Sequence, residues 1–387
     1  MDWIEDIVEN TYRNYSNRQI VLWGKYSVSE EITDRLKDIY GIDTAFYVDK
    51  DPSKIDNKQV FPTGCLQGKS DEYYVVVPVA YYKSLKDELD GGGYKKNQDY
   101  YYFCDCIVKM TDDYYEDSHG NKIIGAYNKL KFVFSGFNSV VRIGENVNLH
   151  NSSFYIHSDA EIEIGDSCTI EDSVWNTDGA QIGVGDGCII SNCVWNADGA
   201  HIEIGKKCGI YNNYLLAKPQ SYVKLGDGGR YQEGRIAVRE HAQIIIGRAF
   251  SIESGYSVHV LLNTQIIIGD DVMCSHAVSF WSSDGHSIFD LRTGMNISST
   301  EAISKTRKIV IGNHVWIGSN AIILYNTEIR DGSIIGAGSL VKSRIPNNCI
   351  AAGAPAQVIR KDIAWSRKYG ADQLMEHEQA YARLTEI

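Results

Sequence analysis

An aliphatic residue followed by glycine recurs along the chain at an almost constant spacing. Seven pairs share this form, with successive glycines 20 to 22 residues apart: Ile143-Gly144, Ile164-Gly165, Val184-Gly185, Ile204-Gly205, Leu225-Gly226, Ile246-Gly247 and Ile268-Gly269. The pattern returns at Gly312, Gly318 and Gly336, and the stretch 174–180 is repeated almost letter for letter at 194–200. A fixed period near 20 residues, with β-branched residues alternating with polar ones, predicts stacked parallel β-strands. The predicted fold class is therefore mainly β, a parallel β-helix solenoid.

The repeated residues suggest how the coils stack. Each repeat glycine is expected at a corner, where a side chain clashes with the next coil or a left-handed backbone is needed. Cys168, Cys188 and Cys208 lie one repeat apart and are expected to stack inside neighbouring coils. The nine cysteines show neither zinc-ligand spacing nor a disulfide framework. We therefore expect a reduced, cytoplasmic protein without a bound metal.

The first 125 residues do not share the repeat. A strand over 19–24, a helix over 28–40 capped by Gly41, and a strand over 44–48 predict a small α/β Rossmann-like domain at residues 1–125. The loop 24–27 lacks the further glycines that let a pyrophosphate approach a helix N-terminus. This favours a docking or substrate-recruiting domain over a dinucleotide site.

The rest of the chain divides at two points. The β-helix is predicted over 126–361, and the rhythm fails between Gly269 and Gly312, which predicts a protruding catalytic loop at 280–307. Residues 362–387 predict an amphipathic C-terminal helix that closes the solenoid. The formal charge of −12, from 38 Lys+Arg and 50 Asp+Glu, argues against nucleic acid as a partner. The sequence predicts neither a membrane span nor a signal peptide.

The segment 308–321 and the segments 334–342 and 352–360 carry a specific resemblance. They resemble the hexapeptide-repeat acyltransferases with a left-handed parallel β-helix, nearest to the sugar or polysaccharide O-acetyltransferase branch. The resemblance implies acetyl-CoA as co-substrate, a glycan acceptor, a homotrimer, and active sites in the groove between adjacent helices.

The resemblance also implies roles for five donor-binding residues. Trp316 and Ser319 are expected beside the thioester, and Ala337 is expected to offer backbone hydrogen bonds to the pantetheine arm. Lys342 and Arg360 are expected to reach the phosphates of CoA. We also expect Lys342 and Arg360 to form one basic cluster with Arg344 and Lys361. Two departures from the family pattern, Gln357 for a basic residue and Lys342 for a small hydroxyl residue, bear on the phosphate contacts.

His286 is the candidate general base. A sugar hydroxyl is a weak nucleophile at neutral pH, and imidazole, with an ordinary pKa of about 6.5, is suited to accept its proton. Asp284, two residues earlier, is the candidate that orients the ring, because similar enzymes carry Asp-x-His in this loop. His276 is the alternative base, and His314 is expected to be structural.

Three functions remain open from the sequence. The main hypothesis is an acetyl-CoA-dependent O-acetyltransferase that acts on a glycan hydroxyl of a bacterial surface polysaccharide or its precursor. The alternatives are an N-acetyltransferase of a nucleotide-linked amino sugar and a non-catalytic glycan-binding β-helix. Trp175 and Trp195 are expected to stack as a ladder, and their functional alternative is a sugar-binding platform.

Overall fold

The computed structural model describes most of the chain: residues 3–56, 58–78, 83–95, 98–102, 107–117, 119–127, 132–298 and 307–386. Two compact units emerge from it. The first comprises residues 1–111, 115–121 and 134–137, and the second comprises residues 112–114, 122–133 and 138–387. The domain boundary near residue 125 stays a prediction.

The first unit contains a five-stranded parallel sheet. From one edge to the other its strands are Val60–Pro62, Thr44–Asp49, Gln19–Trp23, Tyr73–Val77 and Tyr100–Tyr102. Apolar clusters cover both faces of this sheet, and the two central strands are buried. This is the arrangement that alternating strands and helices predict.

The described residues of the first unit also form three helices and two 3₁₀ turns. They are Trp3–Asn14, Ser27–Tyr40, Lys83–Gly91, Pro52–Lys54 and Thr63–Leu66. Gly41 ends the second helix in the left-handed region at φ 68°, and its N–H bonds to the carbonyls of Leu36 and Lys37.

In the described part of the sequence, four short strands follow the N-terminal sheet, of which Lys122–Ile124 pairs in parallel with Val140–Ile143 and Phe132–Phe134 extends the sheet of Ser153–Ile156. They are Ile107–Met110, Tyr114–Asp117, Lys122–Ile124 and Phe132–Phe134.

From residue 138 the chain winds as a β-solenoid with three parallel sheets, and each coil contributes one strand to each sheet in turn. Sheet 1 contains Val140–Ile143, Glu161–Ile164, Gln181–Val184, His201–Ile204, Tyr222–Leu225, Gln243–Ile246, Gln265–Ile268, Lys308–Ile311, Thr327–Ile329 and Arg344–Ile345. Sheet 2 contains Asn148–His150, Thr169–Glu171, Ile189–Ser191, Gly209–Tyr211, Arg230–Tyr231, Ser251–Ile252, Met273–Cys274, Trp316–Ile317, Ile334–Ile335, Ile350–Gly353 and the antiparallel Ala356–Arg360. Sheet 3 contains Ser153–Ile156, Val174–Asp178, Val194–Asp198, Asn213–Ala217, Gly234–Val238, Tyr256–Val260, Ser279–Trp281, Ile322–Leu324 and Leu340–Val341. The predicted β-helix class is confirmed.

Side chains alternate between the interior of the solenoid and its surface. In the strand Glu161–Ile164, both isoleucines are buried and both glutamates are exposed. Cys168, Cys188 and Cys208 are buried, as their one-repeat spacing predicts. Trp175 and Trp195 stack with ring centroids 4.3 Å apart, but both rings are buried in the core. The alternative of a sugar platform at these tryptophans is therefore wrong.

The repeat glycines are required by close approach rather than by backbone conformation. A Cβ added at Gly185 would lie 2.8 Å from the carbonyl carbon of Gly205 in the next coil. The left-handed positions fall two residues later, for example at Gly187 (φ 68°) and Lys207 (φ 56°). Steric exclusion between stacked corners therefore explains the glycine period.

The C-terminal segment packs on the solenoid through His314. The His314 ring bonds through Nδ1 to Asp271 Oδ2 at 2.7 Å and through Nε2 to the carbonyl oxygen of Trp365 at 3.0 Å. Arg367 also contacts Asp271 and donates to Ser251 Oγ at 2.9 Å. Burial raises the pKa of Asp271, but the bonds from His314 and Arg367 outweigh it and hold the pKa below its usual value. The structural role predicted for His314 is confirmed.

The predicted C-terminal helix is present but much shorter than expected. Helical residues are confined to Glu376–Gln379, and the rest of 362–386 is irregular. Gly370 adopts φ 68°, which interrupts a continuous helix. Trp365 and Arg367 instead bond to earlier coils, through the carbonyl oxygen of His314 and Ser251 Oγ.

None of the described helices is both long enough and apolar enough to cross a bilayer.

Gly185→Ala should destabilise the solenoid, whereas Gly183→Ala should not. The new methyl at Gly185 meets the backbone of the next coil, but a Cβ at Gly183 has nothing within 4 Å. We expect a loss of about 1–3 kcal/mol in the free energy of unfolding for Gly185→Ala. Chemical denaturation of both variants checks this, and equal stabilities would contradict the steric explanation.

Candidate functional site

The candidate site begins where the coil rhythm breaks. The chain leaves sheet 3 after Ser279–Trp281 and returns to sheet 1 at Lys308–Ile311. Because Lys308–Ile311 pairs directly with Gln265–Ile268, stacking continues beneath the inserted residues. The described residues 282–298 therefore lie outside the three sheets, whereas the predicted catalytic loop at 280–307 stays a prediction, because residues 299–306 lie outside the described residues.

The described part of this loop is a small hairpin with His286 at its base. Ser298 Oγ donates to the carbonyl oxygen of His286 at 3.0 Å and accepts the N–H of Ile288 at 2.6 Å. Phe289 and Asn296 form an antiparallel bridge above it. Ser298 is buried, whereas His286 is exposed. The hairpin thus holds the His286 backbone and leaves its imidazole accessible to solvent.

Asp284 is bound to Arg307, a residue that the sequence did not single out. Arg307 donates from Nη1 to Asp284 Oδ2 at 2.9 Å and to Ser283 Oγ at 2.7 Å. The Arg307 guanidinium is buried and lies 4.3 Å above the ring of Tyr325. The pKa of the Tyr325 hydroxyl is raised above its usual value, mainly by a hydrogen bond to Asp284 and secondly by burial.

A pocket of about 690 Å³ opens beside this ion pair. It joins the start of the loop to the last coils of sheet 3, and its lining residues are Trp281, Ser283, Asp284, Ile322, Leu324, Tyr325, Asn326 and Lys342. Two predicted site residues, Asp284 and Lys342, therefore meet in one pocket. His286 is not among the residues that line it.

Three other candidates form a column along the corner between sheets 2 and 3. His276, Ser319 and Ala337 occupy equivalent positions in successive coils. The N–H of Asn320 bonds to the His276 carbonyl at 2.9 Å, and the N–H of Gly338 bonds to the Ser319 carbonyl at 2.8 Å. In the described part of the chain, the amides of Ser319 and Ala337 themselves donate to no protein acceptor. This corner therefore presents a row of available N–H donors.

Trp316 flanks the same corner from sheet 2. The residue is 36% exposed, and its indole Nε1 lies 3.4 Å from Ser275 Oγ. An aromatic surface thus stands beside the open amides of Ser319 and Ala337.

The predicted basic cluster does not form within one chain. Lys342 follows a strand of sheet 3, Arg344 begins a strand of sheet 1, and Arg360 ends a strand of sheet 2. Arg344 instead pairs with Glu328 at 3.5 Å. The expectation failed because the coil turns a corner every few residues, so neighbours in sequence point from different faces.

The thiols of Cys193 and Cys274 sit in surroundings that disfavour a reactive thiolate. Burial raises the pKa of Cys193 to about 11 and raises that of Cys274 above its usual value. Within the described ranges, no group of three or more His, Cys, Asp or Glu residues is placed to hold a metal ion.

Ser298, Arg307 and Tyr325 are site residues that the sequence did not reveal. Arg307 precedes a strand by one residue, and Tyr325 follows another strand by one residue. Neither Arg307 nor Tyr325 occupies one of the recurring positions of the 20-residue repeat, and Ser298 belongs to no sequence motif that would have identified it. Their importance arises from contacts between residues 10 to 41 positions apart in the chain.

Comparison with known proteins supports the repeat assignment. Residues 308–343 match the family model of the bacterial transferase hexapeptide (six repeats), which confirms the predicted hexapeptide-repeat resemblance. A polysialic acid O-acetyltransferase of Escherichia coli O1:K1 / APEC is 33% identical over 168 residues, or 43% of this chain and 52% of the relative. A galactoside O-acetyltransferase of Escherichia coli K12 is 37% identical over 121 residues, or 31% of this chain and 55% of the relative.

Solved structures include a similar protein. The crystal structure of a polysialic acid-specific acetyltransferase aligns with a TM-score of 0.40 and 22% identity, over 65% of this chain and 97% of that chain. The chain spans about half the length of the curated relatives described above.

Arg307→Leu should destabilise the protein by about 1–3 kcal/mol, because it leaves the Asp284 carboxylate without its charged donor. Arg330→Leu is the matched control, since Arg330 pairs with Glu328 near the surface, where an ion pair contributes about 0–1 kcal/mol. Chemical denaturation compares the two variants. An equal loss of stability in both would contradict a special role for the Arg307 pair.

Proposed function

We propose that this hexapeptide-repeat protein is an O-acetyltransferase that moves the acetyl group of acetyl-CoA to a hydroxyl group of a glycan. The main support is that the last coils of one chain carry both open corner amides, at Ser319 and Ala337, and an inserted loop with an exposed histidine. The two curated relatives named above, a polysialic acid and a galactoside O-acetyltransferase, agree with this reaction class.

The donor site is assigned to the corner between sheets 2 and 3. The amides of Ser319 and Ala337 are suited to the amide oxygens of a pantetheine arm, because each is a backbone donor without a partner in the coil. Trp316 lies beside them and offers an apolar wall for the thioester end. Acetyl-CoA, when bound there, supplies an activated acetyl group.

Lys342 and Arg360 are assigned to the CoA phosphates. Lys342 projects from sheet 3 and Arg360 projects from sheet 2 of the same chain. Both side chains reach one CoA molecule most directly if that molecule lies between two copies of the chain. The proposal therefore includes a homotrimer, with each donor site in the groove between adjacent solenoids. The cytoplasmic location is part of the same proposal.

His286 is assigned as general base. Its imidazole accepts the proton of the glycan hydroxyl while the hydroxyl oxygen attacks the thioester carbonyl. The carbon–sulfur bond then breaks, and the proton passes from the imidazolium to the departing thiolate. Backbone N–H groups near Ser319 stabilise the oxyanion. This direct transfer requires no acyl-enzyme, in accord with the raised pKa of the buried thiols of Cys193 and Cys274.

The orienting role of Asp284 stays a prediction. Its carboxylate is engaged by Arg307 and Tyr325, and the described contacts include none between Asp284 and the His286 ring. His276 remains the alternative base, because it lies in the same corner column as Ser319 and Ala337.

His286→Ala should fold normally and lose acetyl transfer by at least about 100-fold, since its imidazole carries the proton in this mechanism. Release of free thiol from acetyl-CoA, with oligosaccharides and nucleotide-linked amino sugars as acceptors, measures the reaction. His241→Ala is the matched control, because His241 is exposed on the solenoid surface outside the site.

The outcomes of this assay separate the alternatives. Retained activity in His286→Ala with loss in His276→Ala would move the base to His276. Turnover on nucleotide-linked amino sugars alone would favour N-acetylation. Failure of the wild type to release thiol or to bind CoA would leave a non-catalytic glycan-binding protein.

Arg360→Ala should raise the KM for acetyl-CoA about tenfold and leave kcat unchanged, because a phosphate contact remote from the reacting atoms acts on binding. Arg142→Ala is the control, since Arg142 pairs with Glu161 on sheet 1. Steady-state kinetics with varied acetyl-CoA gives both constants. An unchanged KM in Arg360→Ala would remove Arg360 from the donor site.

A further inference from the structure

The outer face of sheet 3 continues from the Asp284–Lys342 pocket into earlier coils. Four consecutive strands carry it: Asn213–Ala217, Gly234–Val238, Tyr256–Val260 and Ser279–Trp281. Their parallel registers align Tyr214 with Arg235 and His259 with Trp281 across neighbouring strands. Because neighbouring strands lie about 4.8 Å apart, this face is about 14 Å long, which exceeds the length of one sugar residue.

Two ring contacts give this face flat surfaces. The rings of His259 and Trp281 stack with centroids 3.9 Å apart and an interplanar angle of 11°. One coil further away, the guanidinium of Arg235 lies 4.9 Å above the ring of Tyr214. Trp281 is 37% exposed and also lines the pocket with Asp284. Exposed aromatic faces of this kind pack against the apolar sides of sugar rings.

The charge of this face differs from that of the chain as a whole. Arg235 and Arg239 are both exposed, and in the described part of the chain neither has a carboxylate oxygen within 4.0 Å. Some exposed arginines elsewhere are paired, such as Arg142 with Glu161 and Arg248 with Asp270, whereas Arg230 and Arg360 are exposed and have no ion pair with a described residue. Arg235 lies in the strand Gly234–Val238 and Arg239 directly follows it, so one strand of sheet 3 carries two positive charges on a chain of net charge −12.

His259 lies between these two charges. The pKa of His259 lies below its usual value, mainly because the ring is partly buried and also because Arg235 and Arg239 are positively charged. Its Nε2 contacts Ser257 Oγ at 2.6 Å. Both arginines therefore act electrostatically on His259, and no described carboxylate oxygen lies within 4.0 Å of either guanidinium.

A hollow adjoins Arg235 at the corner between sheets 2 and 3. It measures about 630 Å³, and its lining includes Asn192, Asn212, Tyr214, Glu233 and Arg235. The carboxylate of Glu233 makes no ion pair with Arg235. Amide and hydroxyl groups in such a hollow are suited to sugar hydroxyls.

We propose that Tyr214, Arg235, Arg239, His259 and Trp281 form an acceptor track that binds a carboxylate-bearing glycan chain. The track leads the glycan into the pocket of Asp284 and Lys342. Guanidinium groups bind carboxylates through two parallel hydrogen bonds, and unpaired arginines are available for that contact. The inference rests on the proposed function for its purpose, because a track several sugars long serves a polymeric acceptor rather than a single sugar.

The test measures binding of defined oligosaccharides by calorimetry. The probes are α2,8-linked sialic acid oligomers and galacturonic acid oligomers of two and eight residues, with maltooctaose as the neutral probe. We expect the wild type to bind at least one acidic octamer about tenfold or more tightly than its dimer and than maltooctaose. The double variant Arg235→Gln/Arg239→Gln should lose that preference and bind the octamer about tenfold more weakly.

The matched control is Arg142→Gln/Arg248→Gln, which removes two paired surface arginines outside sheet 3. It should bind the acidic octamer as the wild type does. Equal binding of acidic and neutral octamers, absence of binding to all probes, or an equal loss in both double variants overturns the proposal. A change of oligomeric mass in Arg235→Gln/Arg239→Gln also overturns it, since the face is then an interface between copies.

Thiol release by the wild type distinguishes this inference from the proposed function. If the protein consumes acetyl-CoA with a short acceptor but binds acidic and neutral octamers equally, the acceptor track is wrong and the assignment as an acetyltransferase stands. If arginine-dependent binding of the acidic octamer occurs without any thiol release, the track stands and the transferase assignment fails.

Discussion

The structure of the solenoid depends on the close stacking of one coil on the next. Parallel strands of neighbouring coils exchange backbone hydrogen bonds, and at the corners the backbones approach so closely that a Cβ on Gly185 or Gly205 has no room. This constraint produces the glycine period of the sequence. It also makes the scaffold rigid, because displacement of one corner breaks hydrogen bonds to the coils on both sides.

The same stacking creates the functional surface. The ladder between Gln265–Ile268 and Lys308–Ile311 continues although the residues between them leave the solenoid, so the loop with His286 stands on an unbroken support. Corner residues of equivalent position form columns, and this is why Ser319 and Ala337 present their amides side by side. On sheet 3, the stacking brings together His259 and Trp281, which are 22 positions apart, in one outward-facing row.

Several predictions failed because they assumed that residues close in sequence lie on one face, although the chain turns at the corners of the solenoid. Lys342, Arg344 and Arg360 are close in sequence, yet they project from three different sheets. Trp175 and Trp195 do stack, but on the inner side of their strand, which removes them from any ligand. The C-terminal helix is short because side-chain contacts of Trp365 and Arg367 with earlier coils override the amphipathic pattern of that segment.

The sequence by itself determined the solenoid, its period, its buried residues and the position of the protruding loop, because each of these follows from local spacing and steric size. It also singled out His286, Ser319 and Ala337 through a resemblance confined to the last coils. Only the tertiary structure decided the partners of Asp284, the separation of the basic residues, and the unpaired state of Arg235 and Arg239. These properties depend on which side chains the winding brings together, and contacts between residues tens of positions apart leave no local signal in a sequence.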